Sequence, residues 1–200
     1  MGTRRPGSWS RAVLPALLLV VFSGLRPAAP GSEEVPSLLQ AELLLKVLVT
    51  MLGGEANFNR SLSFWIVFDG HDPEQVERAQ DFYEALLVKK SLLFPASNIQ
   101  VDYCPAKRVR RGQVAAADGV FFILAGLEKT QPAVVSRLQT QGAMLLCESP
   151  DLVARGALFS VSVDSTEQAS LTINAEAVAK AGLKLPPELI RLARIIRRIR

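Results

Sequence analysis

The sequence predicts an α/β fold: one three-layer, flavodoxin- or Rossmann-like domain with a mostly parallel sheet, a C-terminal antiparallel hairpin and a terminal helix. Three observations predict it. First, Ser63–Phe68, Val120–Ala125 and Ala143–Cys147 are short, almost wholly apolar runs separated by segments with helical spacing. Strands of that kind are covered on both faces, which is the situation in a parallel sheet. Second, Ala157–Val163 and Gln168–Ile173 instead alternate apolar with Ser or Thr, the pattern of strands with one wet face. Third, 200 residues that are 49% apolar suffice for one full core and give no sign of a disordered or disulfide-dense chain.

The elements follow in order. Residues 1–31 carry Arg4, Arg5, Arg11 and Arg26 and no acid, with an apolar run Ala12–Phe22 and then a stretch of small residues and proline. This is the layout of a secretory signal peptide, with cleavage expected near Ala29 or Gly31 and a domain over 32–200. As a helix the apolar run reaches about 17 Å, well short of a membrane core of about 30 Å. Lys and Arg total 23 against 19 Asp and Glu, a net charge of +4. Because four of those arginines sit in the leader, the remainder balances at 19 against 19. A neutral mature chain is not expected to bind nucleic acid.

Leu38–Leu52 reads as a helix buried on most of its surface, with Glu42, Lys46 and Thr50 forming one narrow polar stripe and Gly53-Gly54 ending it. Ser63–Phe68 is the first strand. After the turn Asp69-Gly70-His71, Asp72 is a helix N-cap, Pro73 the first helical residue and Gln75 its reaching-back partner, and the helix runs to about Lys90. Ile99–Cys104 is the second strand and Lys107–Ala117 a short helix ended by Asp118-Gly119. Val120–Ala125, a helix Gln131–Gln139, the strand Ala143–Cys147 and a single turn Pro150–Ala154 come next. The two alternating strands form a hairpin around Asp164–Glu167. Asn174 caps a short helix that Gly182 closes, and Pro186-Pro187 opens a last helix to the C-terminus.

Chemistry in such sheets lies beyond the carboxyl ends of the strands. The segments there, Asp69–Asp72, Cys104–Arg111, Ala125–Lys129 and Cys147–Asp151, hold no phosphate-cradling glycine pattern and no hydrolase or metalloprotease motif. No cofactor is expected. One histidine, His71, and two distant cysteines make no closed zinc site. Cys104 with His71 is the one conceivable thiol dyad, but nothing orients the imidazole. Cys104 and Cys147 are read either as a disulfide, which an exported protein would favour, or as free thiols. In a 2-1-3-4 strand order they stand about 14 Å apart, too far for a bond that needs Cα atoms within about 7 Å. Lys107, Arg108, Arg110 and Arg111 form a basic cluster, a solvated helix face or, with Asp69 and Asp72, the lining of a crevice for an anionic ligand. In the last helix, Leu189, Leu192, Ala193, Ile196 and Ile199 recur at helical spacing beside an arginine stripe of Arg191, Arg194 and Arg198. An apolar arc that broad, rimmed by arginine, suits a protein partner or a membrane surface.

The run Leu171-Thr172-Ile173-Asn174, then Ala181-Gly182-Leu183-Lys184-Leu185, then Leu189-Ile190-Arg191-Leu192-Ala193 resembles the ending of the YfiR family of exported bacterial proteins. Asp118–Ile123 is similar to that family's third strand, and Met144–Pro150 with Gly156 to its next strand and glycine turn. Gly53-Gly54 stands where the family usually has Trp-Pro, and Gly156-Ala157 where it has paired glycines. The resemblance implies a non-catalytic periplasmic regulator and homodimer, which binds the periplasmic sensor region of an inner-membrane diguanylate cyclase, or another membrane sensor, and lowers cyclic-di-GMP. Leu189, Arg191, Leu192 and Ile196 are the expected contact residues.

Overall fold

The computed structural model describes residues 35–54, 61–114, 119–164, 166 and 168–196, all within the unit Glu33–Arg200. The leader expected at 1–31 and the arginines beyond Ile196 lie outside the described residues.

Seven strands form one sheet: β1 (Leu62–Phe68), β2 (Ile99–Pro105), β3 (Gly119–Ile123), β4 (Met144–Cys147), β5 (Phe159–Val163), β6 (Ala169–Asn174) and β7 (Arg194–Ile196), in the order β2-β1-β3-β4-β5-β6-β7. The first five are parallel, β6 runs antiparallel to β5, and β7 runs parallel to β6. The expected three-layer α/β fold, its strand order and its C-terminal hairpin are therefore present.

Two long helices cover one face, α1 (Val35–Met51) and α2 (Pro73–Leu93). Phe122 of β3 stacks on Phe82 of α2 with ring centroids 4.5 Å apart. Four short helices cover the other: α3 (Ala106–Arg110), α4 (Leu127–Thr130), α5 (Pro132–Thr140) and α6 (Pro150–Ala154). Side chains alternate across the strands. Phe64, Ile66, Val120 and Phe122 therefore take the α1/α2 side, while Val67, Phe121, Ile123, Leu145 and Cys147 join Val109, Leu127, Val134, Leu138 and Leu152 in the core beneath the short helices. Two further helices, α7 (Ala175–Lys180) and α8 (Pro187–Leu192), anchor through buried Val178 and Leu189.

Local chemistry explains the boundaries. The carboxylate of Asp72 accepts from the Glu74 N–H at 3.0 Å and caps α2. Gln75 does reach back, but to the N–H of Asp69 at 3.0 Å, because the Asp72 N–H is already donated to the Asp69 carbonyl at 3.1 Å. Asn174 accepts from the Ala177 N–H at 3.0 Å and caps α7. Gly119 is the first residue of β3 and not the end of the preceding helix. A Cβ there would come within 2.8 Å of the Phe121 ring, which is stacked against Trp65.

The terminal helix is the main correction. It does not continue through Ile196. Ala193 is extended, with φ −105° and ψ 148°, and Arg194–Ile196 become β7, with Ile195 beside Ile173. Two β-branched isoleucines gain more as a sheet edge than as a helix turn. The helical spacing of Leu189, Leu192 and Ile196 is a coincidence of two elements.

Candidate functional site

The chain leaves β1 to one side for β2 and returns to the other side for β3. The topological switch point therefore lies between β1 and β3, where a doubly wound sheet opens a crevice beyond the strand ends. The loop after β1 contributes Asp69. Its carboxylate accepts the His71 N–H at 3.0 Å. A hydrogen bond from Gln131, then that backbone bond, holds the carboxyl below its ordinary range. The loop after β3 turns at Gly126, whose φ of +95° is a left-handed conformation. There the Gly126 N–H donates to the buried Glu128 at 3.1 Å.

Glu148, directly after β4, ties this region together. Its Oε2 accepts from the Ala125 N–H at 2.8 Å and from Arg78 of α2, and its Oε1 lies 3.4 Å from Nε2 of Gln40 on α1. The same Gln40 nitrogen donates to the Val161 carbonyl of β5 at 2.8 Å. One carboxylate thus joins both long helices to two strand ends. It lines a cavity of about 480 Å³ with Ser37, Gln40, Arg78, Ser149 and Ser162. Arg78 and Glu148 neutralise one another, so the lining is polar without net charge.

The basic cluster divides. Lys107 and Arg110 border a small depression with Asp69, Gly70, His71 and Gln131. Arg108 turns away, to the Tyr103 carbonyl at 2.8 Å and the Trp65 ring at 5.3 Å. The expected crevice for an anion exists only in part, because one of its cations is committed elsewhere. Among the described residues, no group of three or more His, Cys, Asp or Glu could hold a metal ion.

The cysteines lie on one row of the sheet, Cys104–Val67–Ile123–Cys147. Both are buried and free. Two intervening strands keep them about 14 Å apart, so the disulfide does not form. Burial pushes the Cys104 thiol up to about 12 despite the nearby Arg108. Burial pushes Cys147 up as well, and its thiol donates to the Ser149 carbonyl at 3.2 Å. Burial therefore favours the protonated Cys104 thiol at neutral pH, and His71 stands in an exposed turn. The dyad lacks an ionised nucleophile.

Of the expected contact residues, Leu189 is fully buried, and Ile196 packs partly buried against the core beneath the short helices. Arg191 is exposed. So are Leu192, at 39%, and its neighbour Ile190, at 48%. The structure therefore gathers Ile190, Arg191 and Leu192 at the surface, takes Leu189 inside and leaves Ile196 half-buried on the sheet edge. Sequence reasoning missed Gln40, Arg78 and Glu148. One signal was present: Gln40 is polar, yet lies off the Glu42–Lys46–Thr50 stripe of an otherwise apolar helix.

A family model described as YfiR/HmsC-like matches residues 90–194. No curated protein matches the chain. Among solved structures, a conserved domain protein from Vibrio cholerae O1 biovar El Tor superposes with a TM-score of 0.56 at 14% identity, over 78% of this chain and 59% of that one. An ABC domain from Streptococcus pneumoniae in complex with L-Trp gives 0.55 at 14% identity, over 80% and 60%. The chain spans about three-fifths of the length of these structures. At such identity they share its fold.

Proposed function

The chain belongs to the YfiR/HmsC-like family, and we propose from this premise that it is an exported, non-catalytic regulator. On this reading it binds the periplasmic sensor region of an inner-membrane diguanylate cyclase, holds the enzyme off and lowers cyclic-di-GMP. It acts as a homodimer after loss of residues 1–31. The observation that carries the reading is the family match, which runs from the end of α2 through α8 and takes in the strand ends around Glu148. The buried, protonated thiols agree with a protein that works by contact. Ile190, Arg191 and Leu192 are the contact surface on this reading, with Leu189 as the core anchor beneath them and Ile196 in the sheet-edge strand that follows.

The test is capture of the periplasmic domain of a membrane diguanylate cyclase from the same organism, with cyclic-di-GMP as the cellular readout. Leu192→Asp and Ile190→Asp should leave the melting temperature nearly unchanged and weaken capture at least about tenfold, the equivalent of 1.4 kcal/mol. Unaltered capture by both variants would remove this surface from the proposal. A cyclase that never binds the wild-type protein would remove the function.

A second reading, a receptor for a small ligand, is favoured by the 480 Å³ cavity around Arg78 and Glu148. Thermal shifts with a panel of small polar metabolites, anionic ones included, separate the two readings. A ligand that raises the melting temperature of wild type but not of Arg78→Ala supports the receptor.

A further inference from the structure

The sheet has two edges, and they are not alike. β7 has three described residues and begins with Arg194, a charge that guards that edge. β2 has seven, Ile99–Pro105, with no lysine. The phase of its backbone is fixed. The Leu62 N–H donates to the Asn98 carbonyl at 3.0 Å, and Leu62 stands beside Ile99. Asn98, Gln100 and Asp102 therefore turn their backbone groups toward β1, and Ile99, Val101 and Tyr103 turn theirs outward.

At Tyr103 both outward groups are occupied by side chains. Its N–H donates to Oδ1 of Asp102 at 2.7 Å, and its carbonyl accepts from Nη1 of Arg108 at 2.8 Å. That guanidinium is itself held by the other carboxylate oxygen of Asp102 at 3.8 Å and by the face of Trp65 at 5.3 Å. Among the described residues, nothing comparable occupies the outward groups of Ile99 and Val101.

We propose that Asp102 and Arg108 are an edge guard that closes β2 to strand addition, and that the strand they exclude is β2 of a second copy of this chain. The edge is self-complementary. A two-fold axis through Val101 sets Ile99 opposite Tyr103 on both sides and Gln100 opposite Asp102, so that no like charges face each other. The flanking helix repeats the match. Tyr83 of α2 stacks on Tyr103 at 4.5 Å, and Val76 and Leu87, seven before and four after it, lie on the same stripe of the helix. They are 40% and 37% exposed. Lys89 and Arg78 turn to the opposite flank, toward Glu42 and Glu148. The stripe therefore overhangs the β2 edge, and the two-fold would bring it against its own copy. Pairing needs the Tyr103 groups on both chains, and those are the groups the guard holds. This gives Arg108 a role that needs no anionic ligand.

The full chain with Asp102→Ala and Arg108→Gln together is compared with wild type by light scattering, with circular dichroism and thermal melting as controls for folding. Twice the wild-type mass is expected. Val101→Cys added to that pair should then form a disulfide between two chains under mild oxidation, because paired Cα atoms stand about 5.5 Å apart. Val101→Cys alone should not. Asp102→Asn keeps an acceptor for the Tyr103 N–H and should keep the wild-type mass. A folded double variant of unchanged mass, a doubled mass without the 101–101 bond, or cross-linking by Val101→Cys alone would each overturn the proposal. Should the double variant not fold, Arg108→Gln alone carries the same expectation, and an unchanged mass there is equally decisive.

Discussion

The two faces of the sheet are covered by different means. On one, α1 and α2 are 17 and 21 residues long, and charge fixes their positions. Glu42 of α1 pairs with Lys46 on its own helix and Lys89 on α2, each at 2.6 Å, and Glu148 holds Arg78 and Gln40. On the other, α3 to α6 are five, four, nine and five residues long, and the core beneath them is apolar apart from two thiols. A long apolar helix can slide or roll over a sheet at little cost, since burial is non-directional. Directional bonds set its register. A short helix is placed by the loops at its two ends, by apolar contact and by single side-chain bonds to backbone carbonyls, such as Asn174 Nδ2 to Val153 of α6 at 2.9 Å and Arg137 of α5 to Arg110 of α3 at 2.9 Å. The polar network at the strand ends thus seats α1 and α2 beside the cavity that it lines.

This contrast can be broken most severely in the apolar core. Phe121→Ala removes a fully buried ring stacked on Trp65 on the short-helix side and should cost about 3–5 kcal/mol in denaturant unfolding. Gly119→Ala drives a Cβ against Phe121 on the short-helix side and should cost about 1–3 kcal/mol through overpacking. On the charged side the effects are smaller. Glu148→Ala leaves the Ala125 N–H and a part-exposed Arg78 without their acceptor and should cost about 1–2 kcal/mol. It should also quicken amide exchange in α1 more than in α5, a split that equal changes in both helices would contradict.

The smallest effect is a pH dependence confined to the charged face. Burial raises the Glu42 carboxyl, but hydrogen bonds from Lys46 and Lys89 outweigh it and leave the group below its ordinary value. A depressed carboxylate contributes stability above its unfolded value, and that contribution is lost as pH falls through the folded one. Wild type should therefore lose up to about 1 kcal/mol as the solution is acidified below about pH 4.5. Glu42→Gln should already lack that increment at neutral pH and show a flatter profile. Parallel profiles for the two proteins would show that the pair seats the helices without stabilising them.

The two faces also differed in how legible they were from the amino acids. Apolar runs such as Val120–Ile123, all of them buried, announced a doubly covered sheet. The caps Asp72 and Asn174 were identifiable because capping depends on neighbours along the chain. The Glu42–Lys46 pair was legible for the same reason, and its second partner Lys89, 47 residues away, was not. The Gln40–Glu148 contact spans 108 residues, and no local pattern encodes such a meeting. The terminal stripe failed differently. Leu189, Leu192 and Ile196 fit a helical period, but the tertiary pairing of Ile195 with Ile173 overrode it. The consecutive β-branched pair Ile195-Ile196 was the available warning.

The row that carries Cys104 and Cys147 has a last consequence. Each sulfur reaches a reagent only when the layer above it lifts, and neither can be masked by bonding to the other. The protein therefore contains a pair of internal clocks. The modification rate of one times the departure of α3 from the sheet margin, and that of the other times the departure of α6 from its middle. Their ratio would reveal whether that side comes away piecemeal or all at once.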